Sequence, residues 1–498
     1  MIEKHIPALI PLIFLASALL IPLTGIWKKR IVYPLAITTA LIGASLSVYG
    51  FIYVLFNGTI TYHFGGWLPP IGIEYVYDPL SSFVALVINV VSLIVLTHAF
   101  RIVPLDMEGR ETAYYSVVML LLTGLNGMII TGDFFNLYVF IEISSLSGYA
   151  LIAVGEKRSA FASFRYLIIG TIGASFYLLG IGYLYFMSGT LNMNDLASIL
   201  PLMKDSPTVL VALILIVVGI GIKMALFPMH GWLPDSYTYA PTTSSSLIAP
   251  IGTKVGAYTL MRLLFFVFGL DYFSRELPVA DLIAIFACGG IIFGSVMAIA
   301  QKEMKRMLAY SSIAQIGYIG LGIGLANPFG FIGAVLHLLN HAFMKACLFL
   351  VAGNLRIKTG HSDISLMDDS FRKKYPWTMA AFTVAALSMV GLPPLAGFFS
   401  KWYLVLGTIE GSRWIYLAVI LLSSLLNAVY FFRILEKVYL RSSVKDKTEE
   451  GFSENIKQDE VVPSMLIPTL VLAVGLIVLG ILNVVIVDQI YKMMPAGM

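Results

Sequence analysis

Apolar runs of about twenty residues follow one another along the whole chain, parted by short polar, glycine- or proline-bearing joints. About twenty residues is the length a helix needs to cross the hydrocarbon layer. Fourteen such runs can be marked, at 6–26, 31–56, 79–100, 112–131, 134–154, 162–188, 207–229, 242–269, 278–300, 306–326, 329–355, 376–408, 412–440 and 463–488. None carries the apolar/polar alternation of a transmembrane barrel strand. The pattern therefore predicts an all-α polytopic membrane protein, because a helix satisfies its own backbone in lipid. Proline interrupts the seventh run at Pro228 and the twelfth at Pro393-Pro394, so helices 7 and 12 are expected to be discontinuous. The first run meets Lys28-Lys29-Arg30 without a small-residue cleavage site and reads as an uncleaved helix.

Composition agrees with that pattern. Of 498 residues, 58% are hydrophobic and 12% charged, with a mean hydropathy of +0.88. No polar stretch is left to build a second unit, so residues 1–498 are expected to form a single membrane domain. The net charge of +4 is small, and the basic residues are topology signals rather than a nucleic-acid surface. Joints after odd-numbered runs hold nineteen: Lys28, Lys29, Arg30, Arg101, Arg110, Lys157, Arg158, Lys302, Lys305, Arg306, Arg356, Lys358, Arg372, Lys373, Lys374, Arg441, Lys445, Lys447 and Lys457. Joints after even-numbered runs hold three, Lys204, Arg275 and Arg413. The positive-inside rule then places the odd joints in the cytoplasm of a multi-pass cell-membrane protein, with both termini on the outer side. The two cysteines, Cys288 and Cys347, lack metal-ligand or haem spacing, so no metal or cofactor is expected in this chain.

An internal repeat is also expected. Gly148-Tyr149 in the fifth run returns as Gly317-Tyr318 in the tenth, and the break at Pro228 returns at Pro393-Pro394. Five spans separate the members of each pair, and an odd number reverses orientation. Two inverted five-helix repeats follow, one at about 112–269 and one at about 278–440, with flanking helices in 6–100 and 463–488.

Ionisable residues fall where lipid disfavours them. A charge at the bilayer centre costs roughly 2.5–3.5 kcal/mol on insertion scales, so such groups are rare and face the bundle interior. Glu142 lies in the middle of the fifth run, and Lys223 just before the break in the seventh. Lys254 is near-central in the eighth, and Lys401 follows the break in the twelfth. His337, His341 and Lys345 are spaced by four in the eleventh and so share one helix face. A lysine beside a broken helix suits a hydrated half-channel ending on a titratable group, and movement of Glu142 toward or away from Lys223 would switch the lysine's charge. Each residue has a blander reading. Glu142 and Lys223 could be a static ion pair, Lys401 could snorkel to an interface, and the histidines could be satisfied core residues. Seven ionisable groups on helices five, seven, eight, eleven and twelve favour the relay over several independent accidents. Arg262, Arg433 and Glu436 lie nearer span ends and read as interface or packing groups, Asp133 as a residue of the outer mouth, and His63 as a surface residue.

At these residues the sequence resembles the antiporter-like subunits shared by Mrp cation/proton antiporters, respiratory complex I and membrane-bound hydrogenases. The likeness covers nearly the whole chain. It is carried by the stretches Gly132–Glu142, Phe227–Asp235, Ala240-Pro-Thr-Thr-Ser244 and His337–Lys345. Asn136-Leu-Tyr-Val-Phe with Glu142, and Thr253–Tyr258, are similar to the D-type Mrp subunit. The histidine that complex I relatives often carry before the eighth-helix lysine is missing from Ser244–Thr253. The resemblance implies a hydrated polar axis at the membrane midplane. Glu142 is then the acidic partner, Lys223 the first-channel lysine and Lys254 the connecting lysine. His337, His341 and Lys345 bridge toward Lys401, the second-channel lysine. The family's large subunits add a long lateral C-terminal helix, an element not expected here because the sequence stops shortly after its fourteenth span.

The expected function is proton translocation within a multisubunit membrane complex, either an Mrp-type Na+/H+ antiporter or the pumping arm of a complex I-like respiratory or hydrogenase assembly. Protons are the expected cargo, with Na+ as a further candidate, and iron–sulfur clusters would sit on partner subunits. Redox catalysis is not expected in this chain itself. A free-standing transporter of a small solute and a passive scaffold subunit are the alternatives.

Overall fold

The computed structural model describes residues 3–155, 158–440, 458–495 and 497–498. Of the basic joint residues, Lys157, Arg441, Lys445, Lys447 and Lys457 lie outside the described residues.

Every predicted run falls on helix. In chain order these are α1 (Ile6–Trp27), α2 (Val32–Asn57), α3 (Pro79–Asp106), α4 (Glu111–Ile130), α5 (Phe134–Ala153) and α6 (Ser159–Ser188). The seventh run, 207–229, holds α7 (Pro207–Met224) and the break itself; the short helix after the break, α8 (Leu233–Tyr239), lies beyond the run's expected end, and α9 (Thr242–Met261) follows. Beyond α9 the helix continues over Arg262–Gly269 in wider π-type turns. Then come α10 (Val279–Ile299), α11 (Met304–Leu325) and α12 (Pro328–Thr359). The twelfth run divides into α13 (Pro376–Val390) and α14 (Ala396–Glu410), before α15 (Trp414–Tyr439), α16 (Pro463–Ile481) and the short α17 (Asn483–Tyr491). Among the described residues thirteen helices are long and apolar enough to span a membrane, and α13 is a shorter apolar helix.

Local chemistry sets the boundaries. Asp78 caps α3 by accepting from Ser81 N at 2.8 Å while Ser81 Oγ accepts from Asp78 N, and Pro79 occupies the first turn. At α12 the cap is one-way: Asn327 Oδ1 accepts from Gly330 N at 2.8 Å, and Pro328 occupies the first turn. At the two breaks the helices end on left-handed residues, Ala225 at φ 61° after α7 and Gly391 at φ 92° after α13.

The layering follows burial. In α12, 94% of the most apolar window is buried, against 28% in α15, so α12 is a central helix and α15 a peripheral one. A helix apolar on all sides suits a lipid-facing position, whereas α12 carries histidines, Asn340 and Lys345 inward. Outside the bundle, strands β1 (Ile60–His63) and β2 (Glu74–Tyr77) pair antiparallel, with Ile60 opposite Tyr77 and His63 opposite Glu74. The run pattern gave no sign of this hairpin. It anchors the joints on its side: Gly132 N donates to Glu74 O at 2.9 Å, Asn192 Nδ2 donates to Glu74 Oε2 at 2.8 Å, and Met193 N donates to Gly132 O at 2.8 Å.

Candidate functional site

Breaking α7 frees carbonyls that would have accepted bonds from the next turn. Trp232 Nε1 takes one, donating to Ile222 O at 2.9 Å, and Leu226 N donates to Gly221 O at 2.9 Å. Lys223, one residue before the end of α7, turns into the bundle and donates from Nζ to Ser145 Oγ of α5 at 2.5 Å. Its ammonium lies 6.0 Å from the Tyr149 ring centre. Tyr149 meets Tyr166 edge-on, and Tyr166 stacks on Trp232 at 3.8 Å, so aromatic rings wall the lysine.

Glu142 sits one turn before Ser145 on α5 and is half-buried. Among the described residues no ion pair joins Glu142 to Lys223, so the static pair considered from the sequence is not what this conformation holds; Ser145 takes the ammonium. Glu142 shares an outward strip of α5 with the exposed Phe135, Val139 and Leu146.

Lys254 is wholly buried. It donates back along α9 to Ala249 O at 2.6 Å and contacts Thr253 Oγ1 at 3.5 Å. On α12, His337, His341 and Lys345 are buried to the last percent and line one face, as their spacing predicts. The two imidazoles lie near-parallel with centres 5.8 Å apart. His337 Nδ1 bonds Ser400 Oγ at 2.9 Å, while His337 Nε2 and both nitrogens of His341 have no hydrogen-bond partner among the described residues. Lys345 donates to Leu308 O at 2.7 Å and to Ser311 Oγ at 2.5 Å on α11.

Lys401 closes the line. It does not snorkel: it is 6% exposed and points back at the break. Its ammonium donates to Met389 O and Val390 O at 3.0 Å each, the last carbonyls of α13, and to Ser424 Oγ at 3.3 Å. The Asn427 amide, turned oxygen-first, accepts from it at 3.2 Å. Tyr318 of α11 stands between lysine and histidine, its ring 4.9 Å from Lys401 Nζ and 5.3 Å from the His337 ring.

The structure thus brings Lys401, Tyr318, His337 and His341 into contact, with Lys345 one turn further along α12. No hydrogen bond among the described residues joins Lys223 to Lys254 or Lys254 to the histidines. Throughout, the partners of the buried ammoniums are hydroxyls and carbonyls rather than carboxylates. That arrangement satisfies the donors without fixing a charge in an ion pair, which suits groups that must give up a proton.

Sequence reasoning missed the hydroxyl partners Ser145, Ser311, Ser400 and Ser424. A serine three or four residues from an intramembrane charge was the available signal for Ser145, and one directly beside Lys401 for Ser400. Arg262 is more than a span-end residue: it forms a bidentate pair with Asp78, at 2.6 Å for each bond, and donates to Tyr258 Oη at 3.1 Å. Asp133 caps α5 through Asn136 N at 2.7 Å. Arg433 donates to Ile299 O and Gln301 O, a packing role. His63 is 29% exposed and 3.9 Å from Glu74. Among the described residues no three His, Cys, Asp or Glu side chains gather as a metal site.

Known proteins place this geometry in context. NADH-quinone oxidoreductase subunit N of Desulforudis audaxviator is 48% identical over 435 residues, 86% of each chain. The D-type subunit of the Na(+)/H(+) antiporter of Alkalihalophilus pseudofirmus is 32% identical over 476 residues, 95% of this chain and 93% of that one. A chain of the membrane-bound sulfane sulfur reductase, an archaeal respiratory membrane complex, superposes with a TM-score of 0.89 at 31% identity, covering 98% of this chain and 96% of that one. A chain of the Mrp complex from a Dietzia species superposes at 0.86 with 21% identity, a likeness of fold, over 98% and 96%. The family model described as NADH:quinone oxidoreductase/Mrp antiporter, transmembrane region, matches residues 131–427, and with these relatives it shows that the chain belongs to that family.

Proposed function

We propose that this chain translocates protons as one subunit of a multisubunit membrane complex, of Mrp-type antiporter or complex I-like architecture. The carrying observation is the buried series Lys223, Lys254, His341, His337 and Lys401, held by hydroxyls and carbonyls across α7, α9, α12 and α14. Protonation at one broken helix shifts the Glu142–Ser145–Lys223 cluster, and the change passes through Lys254 and the histidines to Lys401, with Lys345 setting the field along the same face. Glu142 on an outward strip supports the placement among other subunits, because a carboxylate facing lipid in mid-membrane is costly and a neighbouring subunit would cover it. The relatives' names, an antiporter subunit and an oxidoreductase subunit, support the same reading. Sodium stands as a second candidate cargo, and any iron–sulfur chemistry belongs to partner chains. Both termini lie outside and the lysine-rich joints inside, on the charge asymmetry of the joints. The two inverted repeats, about 112–269 and 278–440, would supply one half-channel each.

The test is proton movement in inverted vesicles that contain the assembled complex, driven by an imposed sodium gradient or by a respiratory electron donor. Lys223→Ala is expected to abolish acidification while the complex still assembles. Undiminished proton movement in that variant would sink the relay and favour the scaffold reading.

A further inference from the structure

Lys305 is a buried base that the relay leaves unused. In the sequence it stands among Lys302 and Arg306 as a joint residue, yet it is the second residue of α11 and only 2% exposed. Its ammonium donates to Ala240 O at 2.6 Å. Ala240 ends α8, the second half of the broken seventh span. Beside it opens a polar cavity of about 420 Å³, whose wall includes Ala240, Asp106, Glu303, Arg356 and His361. Arg356, Glu303 and Asp106 of that wall act electrostatically on Lys305, which itself lies behind Ala240. Lys302 and Arg356 place the cavity on the lysine-rich side of the membrane.

The other side of Ala240 leads inward. Its carbonyl also accepts from Ser245 Oγ at 3.3 Å. Ser245 belongs to five consecutive buried hydroxyl residues that open α9, Thr242 to Ser246. The Tyr114 hydroxyl lies near Thr243 and Ser244, yet Thr243 Oγ1 and Ser244 Oγ are left without a well-formed hydrogen bond. Further along, the buried Tyr237 hydroxyl lies next to Thr253, whose Oγ1 is 3.5 Å from Lys254 Nζ. Five buried hydroxyls in a row are poor choices for apolar packing, and an unpartnered one costs about 1–3 kcal/mol relative to a bonded one.

We propose that Lys305 is the residue at which protons enter this chain from that cavity, and that the hydroxyls of α9 pass them to Lys254. This rests on the proton-translocation reading above. The transfer balances. Because Ala240 O only accepts, from Lys305 and from Ser245 alike, Lys305 Nζ–H gives its proton to a water bridging it to the Ser245 hydroxyl; water and each hydroxyl then accept one proton and release one, and the neutral amine of Lys254 receives the last. The Lys305 amine regains a proton from cavity water beside Asp106 and Glu303. The competing role is a static tether between α11 and the end of α8.

Three variants separate the roles in vesicles bearing the assembled complex. Lys305→Arg keeps both the charge and a donor for Ala240 O but does not surrender its proton. It is expected to assemble normally while proton uptake falls about 100-fold, the lower end of what positioned proton transfer contributes. The pair Thr243→Val with Ser244→Ala removes hydroxyls that hold no well-formed bond, so the fold is expected to survive while uptake slows. Lys305→Cys is expected to react with a membrane-impermeant thiol reagent in inverted vesicles and not in right-side-out ones. Wild-type uptake by Lys305→Arg in vesicles where Lys223→Ala is inactive would make Lys305 a tether and overturn the proposal, leaving the relay intact. Wild-type uptake by both variants would instead overturn the relay. Should Lys305→Arg fail to assemble, undiminished uptake by the hydroxyl pair, or a thiol at 305 unreactive from both faces, overturns the proposal on its own.

Discussion

Replacing Arg262 by Ala is expected to destabilise the protein through one identifiable contact. Arg262 reaches across from the end of α9 to the carboxylate that caps α3, with two bonds of 2.6 Å to Asp78. The two side chains are only 14% and 15% exposed, so solvent screening is weak and the surface-pair discount does not apply. Removing one member of a buried pair leaves the other charge uncompensated, a loss of about 3–5 kcal/mol. Asp78→Ala should cost a similar amount, plus about 1 kcal/mol for the lost helix cap. Because both single variants remove the same pair, the double variant should be more stable than the sum of singles implies, by about 2 kcal/mol or more. Acid dependence follows from the same contact. Burial pushes the Asp78 carboxyl up, but the Arg262 charge and bonds, with those from Ser81, outweigh it and hold the group below the usual carboxylate range. A depressed native value contributes stability above the unfolded value of about 3.9 and loses it as pH falls through the native one. Wild type should therefore lose stability below about pH 4 through this group, a loss that Arg262→Ala no longer shows. Thermal unfolding of the purified chain in mild detergent, followed by tryptophan fluorescence across pH, measures each of these. Single-variant melting within error of wild type, or strictly additive costs in the double variant, would refute the reasoning.

Other outcomes follow from the breaks. A Cβ on Gly397 would stand 1.9 Å from Ser388 O across the twelfth-span break; Gly397→Ala should lower the yield of folded protein and cost about 3 kcal/mol or more by overpacking, read by the same melting assay. Lys401→Met leaves Met389 and Val390 carbonyls without the ammonium but removes a buried charge, so stability should change by less than about 2 kcal/mol. Proton movement in that variant should nevertheless fall at least about tenfold, and retained transport would remove Lys401 from the relay. Ser145→Ala takes away the hydroxyl that receives Lys223, at a cost of about 1.5–3 kcal/mol. Combined with Glu142→Gln it should cost more than the two changes separately, since the carboxylate is the nearest replacement partner; simple additivity would argue against that exchange.

The run lengths predicted the helices because the membrane imposes one length on every span, and the proline positions located both broken helices for the same backbone reason. The buried ionisable residues were legible for the converse reason: lipid makes each of them conspicuous. What lay beyond the sequence was how each charge is met. Glu142 and Lys223 suggest an ion pair by type, whereas the α5 geometry delivers Ser145 to the ammonium instead. Lys305 looked like one more cytoplasmic cation, because charge counting assigns joints by composition and cannot see that α11 begins two residues earlier than the apolar run. The hairpin of β1 and β2 was equally hidden, its four-residue strands being too short and too mixed to signal against fourteen apolar runs.

That hairpin has a mechanical consequence. By binding Gly132, Asn192 and, through Gly132, Met193, it welds the ends of α4, α5 and α6 on one side of the membrane into a plate. If α5 moves, it pivots from Asp133 like a lever hinged at one end. Glu142 and Ser145, nine and twelve residues along, lie about 13 and 18 Å from that hinge. A swing of about 10° would carry them together by roughly 2 and 3 Å, enough to break the Ser145 bond to Lys223. The stroke of such a machine would be set by how far each residue stands from a clamped loop, and not by any rearrangement of the lysine itself.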